Sequence, residues 1–289
     1  MIENSPRKTV DKAMRILQAF SAAQPELSVG ELSERLGMHK SVVSRLAAAL
    51  HDWGMIEKDS RTRKLRIGEG AFRVGSLFLE RNNLVRIATP HMEKLVAATG
   101  QSSHLSILEG LRFLVVATIE SPSALRVIMR IGERRPLHST AAGKLFLANS
   151  DVLLDAVLTG KLESFTSQTL TSPAKLRKVV ATAKKKEIAW NAGESSIGAG
   201  AVAAPIHDRS GRMIAALSTV YPLGVVDGRL RTRVGAVTSA AARHISLELG
   251  YRPKPQPRSN QDRGATTTAH RLYPPRKLPA KAAEREQDG

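Results

Sequence analysis

Apolar positions recur along the chain with two different periods, and the periods divide it. Ala13, Ile16, Leu17 and Phe20 follow the i, i+3, i+4, i+7 spacing of one helix face, with Gln24-Pro25 as the expected stop. Ser28-Val-Gly-Glu31 has the form of a capping box, and Val29, Leu32 and Leu36 then give a second helix its buried stripe. Gly37 suits the left-handed residue that ends that helix. A third helix follows at once, with Val43, Leu46, Ala47 and Leu50 on its apolar face and Ser41, Ser44, Arg45 and Ala48 opposite; Gly54 closes it. Met55–Lys58 and Lys64–Ile67 read as two strands joined by the polar segment Asp59–Arg63.

Residues 69–83 read as a connecting helix with Phe72, Gly75, Leu77 and Leu79 on its apolar side. Beyond them the pattern predicts a helix over 85–99 and strands near 102–108, 112–120 and 125–131. Helices are expected near 140–149, 151–158 and 173–186, then two strands near 200–206 and 212–220. Asp208-Arg-Ser-Gly211 supplies hairpin turn chemistry between those strands, and a last helix is expected over 227–249. From 251 onward periodicity stops and prolines accumulate among basic residues, so 251–289 is expected to be a disordered basic tail.

Composition narrows the functions this α+β chain can carry. It has no cysteine, which excludes disulfides, thiolate metal sites and a cysteine nucleophile. No uncharged stretch exceeds 14 residues, and Met213–Val226, one of that length, is broken by Pro222; none is a membrane span. The first residues lack the apolar run of a secretory signal, so a cytoplasmic protein is expected. The formal net charge of +18 favours a polyanionic partner. The excess is spread along the chain, as +3 over residues 1–80, +10 over 81–250 and +5 over 251–289, so bulk charge does not say which segment meets nucleic acid.

Two helices across a tight turn, followed by a basic hairpin, form a winged helix-turn-helix pattern. A recognition helix needs one apolar face for docking and small polar or basic groups on the other to enter a major groove about 12 Å wide. Ser41, Ser44 and Arg45 meet that need, with His39 and Lys40 in the first turn and Ala48 small enough for a close approach. Arg45 can hold a guanine edge or a phosphate. Arg61, Arg63 and Lys64 put charge on the wing, where backbone or minor-groove contact is natural. On periodicity alone, a generic three-helix bundle with a solvated basic loop fits as well.

Leu27-Ser-Val-Gly-Glu-Leu-Ser-Glu-Arg-Leu-Gly-Met-His-Lys-Ser-Val-Val-Ser-Arg-Leu46 resembles the DNA-binding domain of isocitrate-lyase-regulator-type (IclR family) transcription factors. Leu137-His-Ser-Thr-Ala-Ala-Gly-Lys144 is similar to that family's effector-domain loop and helix start, and Ala201–Ser218 to its central hairpin. The likeness runs from about Lys8 to Gly250. It implies a winged helix-turn-helix domain over 8–68, a linker helix over 69–83 and a GAF-like effector-binding domain over 84–250. It also implies a homodimer or dimer of dimers on double-stranded DNA, responding to a small organic acid. The residues that the resemblance carries over to the effector are Thr140, Ala141, Ala142, Gly143, Asn191, Ala199 and Ala201, with strand 125–130 and Leu137 as an apolar wall. Asn191 replaces an acidic residue of some members, and Gly200 replaces a frequent arginine. Small Ala199 and Ala201 leave room for a larger or aromatic acid. A helix start near Thr140 suits a carboxylate through its free amides and dipole.

Other chemistry is weakly signalled. Gly198-Ala-Gly200 leads into a strand-like run and not into a helix, which argues against a dinucleotide site. His138, Ser139 and Lys144 lack a nucleophile elbow and a clear third partner. The eight histidines show no i, i+4 pair, so no metal or cofactor is expected. Two rivals to a regulator stand beside it: a hydrolase fused to a nucleic-acid-binding module, which would show turnover, and a nucleoid-type protein, which would bind random and cognate DNA equally.

Overall fold

The computed structural model describes residues 6–21, 24–81 and 83–253. Contacts divide the chain into two units, Met1–Asn83 and Leu84–Gly289.

In the first unit α1 (Pro6–Ala19) is followed by β1 (Glu26–Leu27), α2 (Val29–Leu36), α3 (Lys40–Asp52), β2 (Ile56–Lys58), β3 (Leu65–Ile67) and α4 (Glu69–Arg81). The Ser28 hydroxyl accepts from Glu31 N at 3.2 Å while Ser28 N donates to the Glu31 carboxylate at 2.7 Å, so α2 starts at the expected box. Gly37, at φ 62°, ends it in the left-handed region, where a Cβ is disfavoured. Ile16, Leu32, Val43 and Ile56 are fully buried and tie the three helices to the hairpin. Two details differ from the pattern reading. α1 stops at Ala19, before Gln24-Pro25, and Ser21 and Gln24 bridge each other through paired backbone bonds. A third strand, β1, pairs antiparallel with β3 through Leu27↔Leu65; two residues carry no detectable period. Of the expected apolar side of α4, Phe72 and Leu77 are exposed, as is Val74.

The second unit contains α5 (Asn83–Thr99), β4 (Ser102–Glu109), β5 (Arg112–Ile119), β6 (Arg134–Pro136), α6 (Ala141–Ala148), α7 (Asp151–Thr159), α8 (Pro173–Lys186), β7 (Ala189–Ala192), β8 (Ala199–His207), β9 (Met213–Pro222) and α9 (Gly228–Glu248). Its strands form one antiparallel sheet in the order β6-β5-β4-β9-β8-β7. Alternation along the strands separates two cores. Leu105, Ala204, Ile206, Ala215 and Leu217 face α5 and α9. Phe113, Val115, Ala203 and Ala216 face α6 and α8.

Residues 125–131 form no strand; the edge strand is β6, further on, where Arg134–Pro136 pairs with Arg112–Leu114. The apolar residues of 125–131 suggest a strand, but three of the side chains, Leu125, Ile128 and Ile131, are exposed. β7, Ala189–Ala192, is short and mixed and carries no strand period. The stretch expected to be a disordered tail lies outside the described residues from 254 on.

Candidate DNA-reading surface and effector cavity

On α3 the pattern of side chains separates docking from display. Val43, Leu46 and Ala47 are buried, whereas His39, Lys40, Ser41, Ser44, Arg45 and Ala48 are all exposed. His39 is the N-cap and makes no side-chain capping bond. Among the described residues, the side chains of Lys40, Arg45, Arg61 and Arg63 enter no ion pair, so their charge faces solvent. Arg66 differs: it donates to Glu57 across the hairpin at 3.0 Å.

The wing tip is built on Asp59. Its carboxylate accepts from Arg61 N at 3.0 Å and from Thr62 N at 2.6 Å, and these bonds, that of Thr62 first, hold its pKa below the usual carboxylate range. Arg63 takes φ 59°, a left-handed conformation that costs a non-glycine residue energy. Arg61 and Arg63 are exposed; Lys64 is half-buried, and its charge helps to lower the Glu31 pKa after the stronger bonds from Ser28.

In the second unit a cavity of about 50 Å³ lies between the sheet and α6. By that measure one water needs roughly 10–15 Å³, so the space holds a few water-sized groups. Thr140, Ala141 and Ala142 form one wall, Ala199, Gly200 and Ala201 another, and Asn191, Ser195 and Ser196 a third. Val127, Met129 and Phe113 add apolar surface, and Arg135 adds a cation that also pairs with Glu133 at 2.7 Å. His104 and Ser106 of β4 and Ser218 of β9 make the polar part of the sheet face.

Six of the seven expected effector residues therefore come together, and Gly143 does not. The Gly143 N–H is taken by the Thr140 hydroxyl at 3.2 Å, and a Cβ there would lie 2.2 Å from the Leu137 carbonyl oxygen. Gly143 is a close-packing residue, and the amides left at the α6 start are those of Ala141 and Ala142. Leu137 is buried in the core and Leu125 is exposed; neither lines the cavity. Asn191 lines it but is committed elsewhere. Its amide donates to Ser139 O at 2.9 Å and Ser195 Oγ at 3.1 Å, and its oxygen accepts from Glu194 N at 2.9 Å. Both amide hydrogens are used, so Asn191 shapes the loop instead of donating to an acid.

The same loop is held by a buried ion pair. Lys144 Nζ, 1% exposed, donates to Glu194 at 2.6 Å and to Trp190 O at 3.0 Å. Burial lowers the Lys144 pKa, and the Glu194 carboxylate opposes that shift. His104 and Ser106 on either side of apolar Leu105 are a sequence signal for a polar stripe on one strand face; Lys144–Glu194 has none, because 50 residues separate the partners. Among the described residues no group of three His, Cys, Asp or Glu can hold a metal ion, and no helix is long and apolar enough to cross a membrane.

The family profile described as "IclR helix-turn-helix domain" matches residues 9–60, and "Bacterial transcriptional regulator IclR C-terminal" matches 76–247. The chain belongs to the IclR family. This IclR-family chain is 34% identical over 250 residues to the HTH-type transcriptional regulator BhcR of Paracoccus denitrificans, covering 86% of itself and 88% of that relative. The Thermotoga maritima IclR structure shares 26% identity at a TM-score of 0.69, over 85% of this chain and all of that one. An IclR homologue from Microbacterium hydrocarbonoxydans, complexed with 4-hydroxybenzoate, shares the fold at 24% identity and a TM-score of 0.75, over 83% and 98% of the two chains. The protein is a DNA-binding transcriptional regulator of this family, whose relatives are regulators and not enzymes.

Proposed function

We propose that this regulator reads double-stranded DNA with 8–68, through His39, Lys40, Ser41, Ser44 and Arg45 of α3 and through Arg61, Arg63 and Lys64 of the wing. Residues 69–83 link that part to a sensing domain over 84–250. A small organic acid bound there, at the α6 start, changes affinity for the operator. The observation that carries this reading is the cavity itself: the Ala141 and Ala142 amides at the α6 start, the Arg135 cation and apolar walls line one partly open space. An anion with an apolar body suits such a site. The 4-hydroxybenzoate held by the Microbacterium homologue is a carboxylic acid, which supports the class and not the compound.

Action in the cytoplasm as a homodimer or dimer of dimers completes the reading. One recognition helix covers too few base pairs for an operator, and a two-fold site matches a two-fold protein. Exposed Phe72, Val74 and Leu77 on α4 are the kind of apolar surface that a second copy covers. Light scattering then gives a dimer or tetramer without DNA; a monomer at micromolar concentration, on DNA and off it, contradicts the assembly.

The test of the whole reading uses operator duplexes selected from random pools. Aliphatic and aromatic acids are screened by thermal shift against the parent and Ala142→Trp, whose indole fills the cavity. An acid that raises the parent's Tm should change affinity for the selected duplex, and Ala142→Trp should lose both responses. Equal stabilisation of both proteins, or binding with no change in DNA affinity, rejects the proposal.

A further inference from the structure

A polar atom removed from water needs a partner, and an orphan inside a cavity marks a place for a ligand atom. His104 supplies one. The residue is one of those that line the cavity, it is 1% exposed, and its buried Nε2 meets no hydrogen-bond partner among the described residues. The strand register fixes where the ring stands: His104 is opposite Thr118 on β5 and Ser218 on β9.

The surrounding bonds decide what Nε2 can do. The Thr118 hydroxyl has one proton and donates it to the Met129 carbonyl at 3.0 Å. Thr118 Oγ1 must then accept in its 3.2 Å contact with His104 Nδ1, which places the ring proton on Nδ1. Burial keeps the ring neutral, pushing its pKa down to about 4. A neutral imidazole protonated on Nδ1 presents a lone pair at Nε2 and nothing to donate. The charged side chain that shares the cavity is Arg135, and it stands with the α6 amides as a place for an anion.

We propose that His104 is a specificity-determining residue whose Nε2 accepts a hydrogen bond from a hydroxyl of the effector, so that the regulator responds to a hydroxy acid over the matching acid without the hydroxyl. The proposal rests on the carboxylate reading of the cavity given above. A keto or ether oxygen at the same place would set an acceptor against an acceptor and leave both unsatisfied. The recognition is therefore of a donor, and a keto acid of the same size is disfavoured along with the unsubstituted one.

The experiment is calorimetric titration of the full-length protein with matched pairs: lactate against propionate and pyruvate, 4-hydroxybenzoate against benzoate, and the neutral pair lactamide against propionamide. In the parent the hydroxylated acid should bind about tenfold tighter than its partner. His104→Asn keeps a donor near Thr118 but ends short of Nε2, and it should bring the ratio close to one. His104→Gln places an amide oxygen near that point and should restore most of the preference. Spectra of ¹⁵N-histidine-labelled parent, which need no variant to fold, should show His104 neutral with its proton on Nδ1. Acids that bind without a hydroxyl preference overturn the proposal and leave the carboxylate reading standing. A hydroxyl preference lost in His104→Asn, with amides binding as well as acids, does the reverse. A preference unchanged in His104→Asn, a proton found on Nε2, or no binding by any pair overturns it outright.

Discussion

In the first unit the residues proposed to meet DNA are exposed, so substituting them should do little harm to the fold. Lys40, Ser41, Ser44 and Arg45 are exposed, and the core below them is made by Val43, Leu46 and their apolar neighbours. In the second unit the same operation reaches into the interior. His104, Lys144 and Asn191 are each at most 5% exposed, and each is tied to other elements by hydrogen bonds. An exposed charge is screened and contributes through its partner alone; a buried one has already lost its water, so its role in binding and its role in folding are hard to separate. Variants on α3 therefore read function directly, whereas variants around the cavity need a stability measurement beside every binding one.

The largest effect should come from breaking the buried pair. Lys144→Met leaves Glu194 without its counter-charge and should cost about 3–5 kcal/mol in chemical denaturation. Adding Glu194→Gln should recover more than half of that loss. A single-variant cost under about 1 kcal/mol would mean that water reaches the pair.

Acid titration sharpens the same contrast. The His104 pKa is lowered to about 4 in the folded protein from an ordinary 6.5, so the unfolded chain binds more protons between those values. The stability this ring contributes is complete above pH 6.5 and is lost as pH falls toward 4. From pH 7 to pH 5 the parent should lose about 2 kcal/mol that His104→Asn does not. Parallel pH curves for the two proteins would refute the assignment.

On the exposed side, Arg45→Ala should weaken binding to a selected operator by about 1–3 kcal/mol, with little loss on scrambled DNA if Arg45 reads a base. Its denaturation curve should match the parent's. An unchanged operator affinity would remove α3 from the groove. The smallest effect belongs to Arg63→Gly, which relieves the left-handed residue and should add up to about 1 kcal/mol of stability. The same change should lower the slope of log affinity against log salt by about one, because a phosphate contact is lost. Fold and function should here move in opposite directions.

The contrast also explains what could be read in the sequence. The α3 face, the Ser28–Glu31 box and the Gly37 stop are local patterns, set by residues within one or two turns of each other. The positions around Thr140 and Ala199 came from resemblance, and six of those seven residues do line one cavity. What that cavity can bind depends on register: His104 gains its tautomer from Thr118 and Met129, and Asn191 loses its free amide to Ser139 and Ser195. The apolar run at 125–131 suggested a strand, yet Leu125 and Ile131 stay exposed while Val127 and Met129 turn to the cavity. Alternation alone does not say whether a neighbouring strand is present to pair with it.

The sheet order has a consequence for the life of the nascent chain. Ser102–Ser106 of β4 pairs with Ala216–Val220 of β9, so the middle of the sheet joins an early strand to a late one. Contacts of such long sequence separation form slowly, and during synthesis they must wait for the distant segment to leave the ribosome. The helices and hairpin of the first unit close over short loops and are complete long before that. For an interval after translation of α3 and the wing, the first unit has all its strands and helices while the sheet around the cavity still lacks β8 and β9.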